Sequence, residues 1–202
     1  MSSKKILPAS FFERNTTQVA KELIGCEILR KVNKYWIRVR IVETEAYLGE
    51  GDPASHSSRG PTPRSKVMFG PAGVLYVYFI YGNYFLLNFV TEKKGKAGAV
   101  LIRAVEPLDG IAHMAELRGI NTKLLSQCDL YKITSGPAKL TMAMGINGTL
   151  NGKKLGLPHL GVQESSTKSV CELIETTRIG ISAAQELPLR FYEKENPFVS
   201  KL

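Results

Sequence analysis

The stretch "RIVETEAYLG" (residues 40–49) sets Arg40, Val42, Thr44 and Ala46 against Ile41, Glu43, Glu45 and Tyr47, the period-2 alternation of a β-strand. Such a strand carries two carboxylates and a phenol on one face. It does so in a chain with 27 Lys and Arg against 18 Asp and Glu, a formal net charge of +9. Upstream, "CEILRKV" (residues 26–32) and "YWIRVRIVETEAYL" (residues 35–48) are rich in β-branched residues and parted by Asn33 and Lys34. The carboxylates therefore sit at the far end of the second strand of a hairpin. Before it, "RNTTQVAKELIGC" (residues 14–26) has capping candidates at Asn15 and Thr16, apolar residues at Val19, Ala20, Leu23 and Ile24, and a stop at Gly25, a short amphipathic helix.

Downstream, residues 49–73 turn to Gly, Pro and Ser with almost no apolar side chain before Met68. A stretch of that length without periodicity inside a domain is usually a functional loop. "VLYVYFIYGNYFLLNFV" (residues 74–90) then predicts an aromatic hairpin around Gly82 and Asn83. A two-residue loop there puts Tyr78 and Asn88 on opposite faces, whereas a three-residue loop over 82–84 pairs them. A further strand follows at "AVLIRAVEP" (residues 99–107). Helices are expected over residues 109–119, capped by Asp109, and over 134–146, and short strands at "KSVCELIE", "RIGIS" and "LRFY" (residues 168–175, 178–182 and 189–192). With no repeat and no evident linker, the expectation is α+β: a single domain over residues 1–202, with a curved, mostly antiparallel sheet, flanking helices and a protruding β-hairpin.

The basic balance favours a polyanionic partner, nucleic acid ahead of lipid, because no apolar run approaches the length of a membrane span. Cys26, Cys128 and Cys171 are odd in number and widely spaced, which reads as reduced thiols in a cytosolic compartment. His56, His113 and His159 are isolated, so no metal site is expected, and His113 is placed on a helix surface. Taken alone, Glu43 and Glu45 read as a solvated strand face ahead of a catalytic pair, although they lead directly into the long polar loop, where active-site residues concentrate. Tyr81, beside the hairpin turn, reads as an apolar wedge for a nucleic-acid groove or as a tip tucked under the long loop.

The strings "RIVETEAYLGEGDPASHSSRG", "PTPRSKVMFGPAGVLYVYFIYGNYFLLNFV", "AVLIRAVEPLDG", "GPAKL" and "LRFY" together resemble the alkyladenine (3-methyladenine) DNA glycosylase family, in its compact form. The resemblance implies hydrolysis of the N-glycosidic bond of alkylated or deaminated purines in double-stranded DNA, by a monomeric, monofunctional enzyme with no cofactor and no metal. It implies a cytoplasmic, nucleoid-associated protein in a bacterium, or a nuclear one in a eukaryote. Glu45 matches the general base, Arg103 and the backbone of Ile179 match the groups that hold the attacking water, and Tyr47 and Tyr78 match aromatics that stack on the flipped purine. His56 matches a contact to the purine edge, Asn88 the obstruction to the 2-amino group of guanine, and Tyr81 the residue that fills the gap in the base stack. Arg64 and Lys139 match phosphate contacts. The competing reading, a non-catalytic nucleic-acid binder, gives no reason to keep a carboxylate facing a polyanion. A lyase with a nucleophilic lysine is disfavoured by the resemblance.

Overall fold

A computed structural model of the chain describes residues 5–121, 126, 129–165 and 172–201. Two short helices, α1 (Ala9–Phe12) and α2 (Thr16–Glu22), precede the hairpin of β1 (Glu27–Val32) and β2 (Tyr35–Leu48). Asn15 caps α2, its side chain accepting from the Gln18 amide, and Gly25 leaves the helix at φ +84°. β3 (Leu75–Ile80) and β4 (Tyr84–Val90) form the second hairpin, and β5 (Gly98–Asp109) follows. Then come α3 (Ile111–Leu117), α4 (Tyr131–Thr134), α5 (Pro137–Ala143) and the short strands β6 (Gly161–Gln163), β7 (Leu173–Thr176) and β8 (Arg190–Glu193).

The strands make one antiparallel sheet in the order β3-β4-β5-β2-β1-β6, with β8 bonded to β2 and to β7. The expected α+β fold is thus observed. The 14-residue β2 lies at the middle, with β5 along one edge and β1 and then β8 along the other. Its second half therefore runs between two strands, and residues 41–46 are all buried. The main core joins Phe12, Val19, Leu23, Ile28, Ile37, Val39, Ile41, Leu87, Phe89, Ile102 and Phe191, one contiguous cluster under the sheet.

Four expectations need correction. The hairpin loop comprises Tyr81, Gly82 and Asn83, and paired residues sum to 164, so Tyr76 faces Asn88 and Tyr78 faces Leu86. Tyr81 and Gly82 both take positive φ (52° and 70°), and the turn begins one residue earlier than the Gly82–Asn83 signal indicates. "RIGIS" is not a strand; it is a loop held by side-chain bonds described below. α3 is capped by Gly110 with no side-chain bond, although Asp109 does accept from the Gly110 amide. His113 is buried, because Tyr35 at the β1–β2 tip stacks on its ring at 4.4 Å between centroids. Of the expected strand over 168–175 only Leu173–Thr176 falls among the described residues as strand. Cys26 is a buried free thiol, pushed up to about 12 by burial; Cys128 and Cys171 lie outside the described residues.

Candidate active site

Antiparallel pairing of β2 with β5 slips on either side of Glu43, and neither Val42 nor Arg103 has a cross-strand partner in that ladder. Such irregularities re-aim side chains next to functional sites. Here the Arg103 guanidinium meets both strand carboxylates: Nε donates to Glu43 Oε1 at 3.0 Å, and one terminal nitrogen lies 3.2 Å from Glu45 Oε1. Both glutamates have no exposed surface. The solvated-face reading of the strand is therefore wrong, since Arg103, Arg190, Ser200, Tyr47 and the loop at Ile179 cover that face.

The two carboxylates have different surroundings. Glu43 also accepts from Arg190 Nε (2.7 Å), the Ser200 amide (2.7 Å) and the Ser200 hydroxyl (2.9 Å), a full complement of donors for an anion. Glu45 accepts from the Ile179 amide at 2.7 Å and the Tyr47 hydroxyl at 2.8 Å. Burial raises the Glu45 carboxyl above its usual range, opposed by the Arg103 charge and by the Ile179 and Tyr47 bonds. The result is a carboxylate with raised proton affinity whose holding groups, Tyr47, Arg103 and Ile179, line an open cleft.

Beside it lies an aromatic cavity of about 250 Å³, walled by Tyr47, His56, Tyr76, Tyr78 and Asn88 and by the loop from Gly180 to Ala183. The hairpin register puts Tyr76, Tyr78 and Asn88 on one face, and the opposite face, with Val77 and Leu87, packs the core. Asn88 Nδ2 donates to the Tyr76 carbonyl (3.1 Å), which fixes the amide. The His56 Nδ1 and Tyr76 hydroxyl are 2.8 Å apart, and His56 meets the Tyr78 ring edge-on at 4.7 Å. Burial, then the Arg64 charge, lowers the His56 pKa, so the ring is neutral near pH 7 and one nitrogen is left to face the cavity as donor or acceptor.

A buried clasp joins the two regions. Arg178 binds Asp52 in two-pronged fashion at 2.6 and 2.8 Å, donates to the Ala46 carbonyl and lies over the Tyr47 ring at 4.8 Å. Asp52 in turn accepts from the Leu48 and Ala54 amides, which ties the His56 loop to the end of β2. At that end Gly49 is required, since a Cβ there would lie 2.6 Å from the Ala97 carbonyl oxygen. Arg178, Asp52, Arg190 and Ser200 escaped the sequence reading. Asp52 and Arg190 lie inside strings that carry the resemblance, but nothing in the sequence pairs Asp52 with a residue 126 positions away.

The expected DNA-contacting residues lie around the mouth. Tyr81 is 80% exposed at the hairpin tip, and with Lys139 it lines a second cleft of about 350 Å³ that shares Tyr47, Tyr78, Ile80 and Gly180 with the first. Lys139 Nζ is 3.4 Å from the Ser135 hydroxyl. Arg64 is exposed and lies over the Tyr78 ring. Among the described residues no group of three or more His, Cys, Asp or Glu could hold a metal ion, and no helix is long and apolar enough to cross a membrane.

The profile of the methylpurine-DNA glycosylases matches residues 10–197. The chain belongs to that family. It is 46% identical over 198 residues to a protein of Methanoculleus marisnigri, with 96% of this chain and 98% of the relative covered. It is 44% identical over 197 residues to one of Carboxydothermus hydrogenoformans (97% and 99% covered) and 43% identical over 198 to one of Legionella pneumophila (96% and 98%). All three carry the provisional name 3-methyladenine DNA glycosylase. The chain is thus a DNA glycosylase, a hydrolase of base excision repair that binds DNA and acts on a base turned out of the duplex.

Proposed function

We infer that the glycosylase removes alkylated or deaminated purines, of the 3-methyladenine, 7-methylguanine, hypoxanthine and ethenoadenine class, from double-stranded DNA, using a water activated by Glu45 and leaving an abasic site. One observation carries the reading. A buried carboxylate of raised proton affinity stands between a backbone amide and a guanidinium at the edge of an aromatic cavity.

The lesion is turned out of the stack into the cavity, where Tyr47 and Tyr78 stack on its faces, His56 meets its edge and Asn88 excludes a 2-amino group. Extrusion costs a few kcal/mol, and Tyr81 offsets part of it by filling the gap in the duplex. Lys139, on the rim, binds phosphate. Water enters the cleft lined by Arg103 and Ile179. Glu45 takes its proton as the oxygen attacks C1′, and its negative charge stabilises the sugar as that becomes oxocarbenium-like. The freed purine leaves with the electron pair of the broken N-glycosidic bond.

The test is incubation of the protein, as a monomer confirmed by sedimentation, with duplex oligonucleotides carrying 3-methyladenine, hypoxanthine or ethenoadenine. Released base and alkali-sensitive breaks at the lesion are expected, with intact strands before alkali. Failure to release any of these purines would remove the reading.

A further inference from the structure

Each tyrosine assigned to stack on the flipped purine carries a guanidinium on a ring face, at the same distance. Arg178 lies 4.8 Å from the Tyr47 centroid and Arg64 lies 4.8 Å from that of Tyr78. Electrostatically the two differ. Arg178 is buried and neutralised by the two-pronged pair with Asp52. Arg64 is exposed, and among the described residues no carboxylate forms an ion pair with it. A terminal nitrogen of Arg64 lies 3.4 Å from the Phe79 carbonyl, which docks the side chain on the hairpin. Tyr78 and Tyr76 line the cavity and Arg64 does not; its guanidinium lies over the Tyr78 ring and also bonds to the Tyr76 side chain, so the charge sits just outside the aromatic wall.

We propose that Arg64 is a specificity-determining residue: an uncompensated positive charge behind Tyr78 that biases the purine cavity toward neutral lesions and against cationic ones. This rests on the glycosylase reading above.

The bias is electrostatic. An aromatic face attracts cations through its quadrupole, and an aromatic cavity alone therefore favours the positive purine ring formed by N3 or N7 alkylation. With a guanidinium already lying on Tyr78 and bonded to Tyr76, a cationic purine stacked against the same wall meets a like charge. A deaminated or etheno-bridged purine is neutral and escapes that repulsion while keeping its stacking. The charge reaches further than one ring. It also opposes the upward shift of the Tyr76 and Tyr78 hydroxyls and helps keep His56 neutral, so all three aromatic walls on that side sense it. A neutral His56 adds no second positive charge and can still present a hydrogen bond to a neutral purine edge.

Arg64→Met keeps the aliphatic stem and removes the charge at an exposed position, so folding should be unaffected. Single-turnover base release is measured at low salt on duplexes carrying hypoxanthine (neutral) and 7-methylguanine (cationic), for the parent protein and the variant, and the ratio of the two rates is compared. Taking the ratio between proteins cancels the intrinsic lability of the 7-methylguanine bond. The expected result is a shift of the ratio toward 7-methylguanine by roughly two- to fivefold, the scale of one cation–π interaction at an exposed site. An unchanged ratio, whether both rates fall equally or neither falls, would overturn the proposal and leave Arg64 at most a phosphate contact. No base release by the parent protein from either duplex would instead overturn the glycosylase reading itself.

Discussion

Glu43 and Glu45, two residues apart on β2 and both without exposed surface, share the single guanidinium of Arg103, at 3.0 and 3.2 Å, and divide its use between them. Glu43, bonded through the guanidinium Nε, fixes the plane of the arginine; Glu45 meets a terminal nitrogen of the same side chain, which lines the cleft. One carboxylate is saturated with donors and the other is held by three groups beside open space.

Glu45→Gln should abolish base release while sparing lesion binding, with a single-turnover loss of roughly 10²–10⁴-fold, because an amide cannot accept the proton of water. In the parent protein the rate should rise with pH through a value above the ordinary carboxylate range, as burial dictates. The same shift has a thermodynamic sign. A carboxyl whose folded pKa lies above its unfolded one contributes stability that is fully present below the unfolded value and is lost as pH rises through the folded one. The Tm of Glu45→Gln should therefore match the parent in acid and exceed it increasingly toward neutrality. A constant offset across pH would argue that Glu45 titrates normally.

Glu43→Gln should behave as a folding lesion. Two arginines, an amide and a hydroxyl converge on this carboxylate, and removing the charge leaves buried guanidinium uncompensated at about 3–5 kcal/mol. Denaturant titration should show that loss in a protein whose residual folded fraction still releases base.

Asp52→Asn probes the clasp under Tyr47. Breaking a fully buried ion pair at one partner should likewise cost about 3–5 kcal/mol. It should also release both walls it joins, raising KM and lowering kcat together, whereas Ser58→Ala in the same loop should do neither.

Tyr81→Ser should leave stability unchanged, since the side chain is 80% exposed. It should weaken capture of the flipped purine more than it slows chemistry, and the defect should shrink at a mispaired lesion, where extrusion is cheaper. Equal defects on paired and mispaired lesions would make Tyr81 a packing residue only.

Short-range pattern made much of this legible. The alternation around Glu45, the cap at Asn15 and the aromatic runs each have a local physical cause, and the strands and α2 formed where those causes lie. What the pattern could not carry was pairing at a distance. Whether Glu43 faces water depends on β8, nearly 150 residues later, and the turn at Tyr81 depends on an ordinary residue accepting a φ that Gly or Asn usually takes. The loop around Ile179 resembles a strand in composition, yet its geometry is set by Asp52, Arg178 and Glu45, side chains with no local signature.

The 164 register of the aromatic hairpin also bears on how the gene can drift. Within β3 and β4, parity decides which residues face the cavity, so losing one residue inside a strand would exchange those between it and the tip between the two faces. Losing one residue of the turn instead leaves a two-residue loop in which Ile80 can still face Tyr84. Length variants of this hairpin that survive selection should therefore change in the turn, and changes within the strands should occur only where a bulge restores the faces.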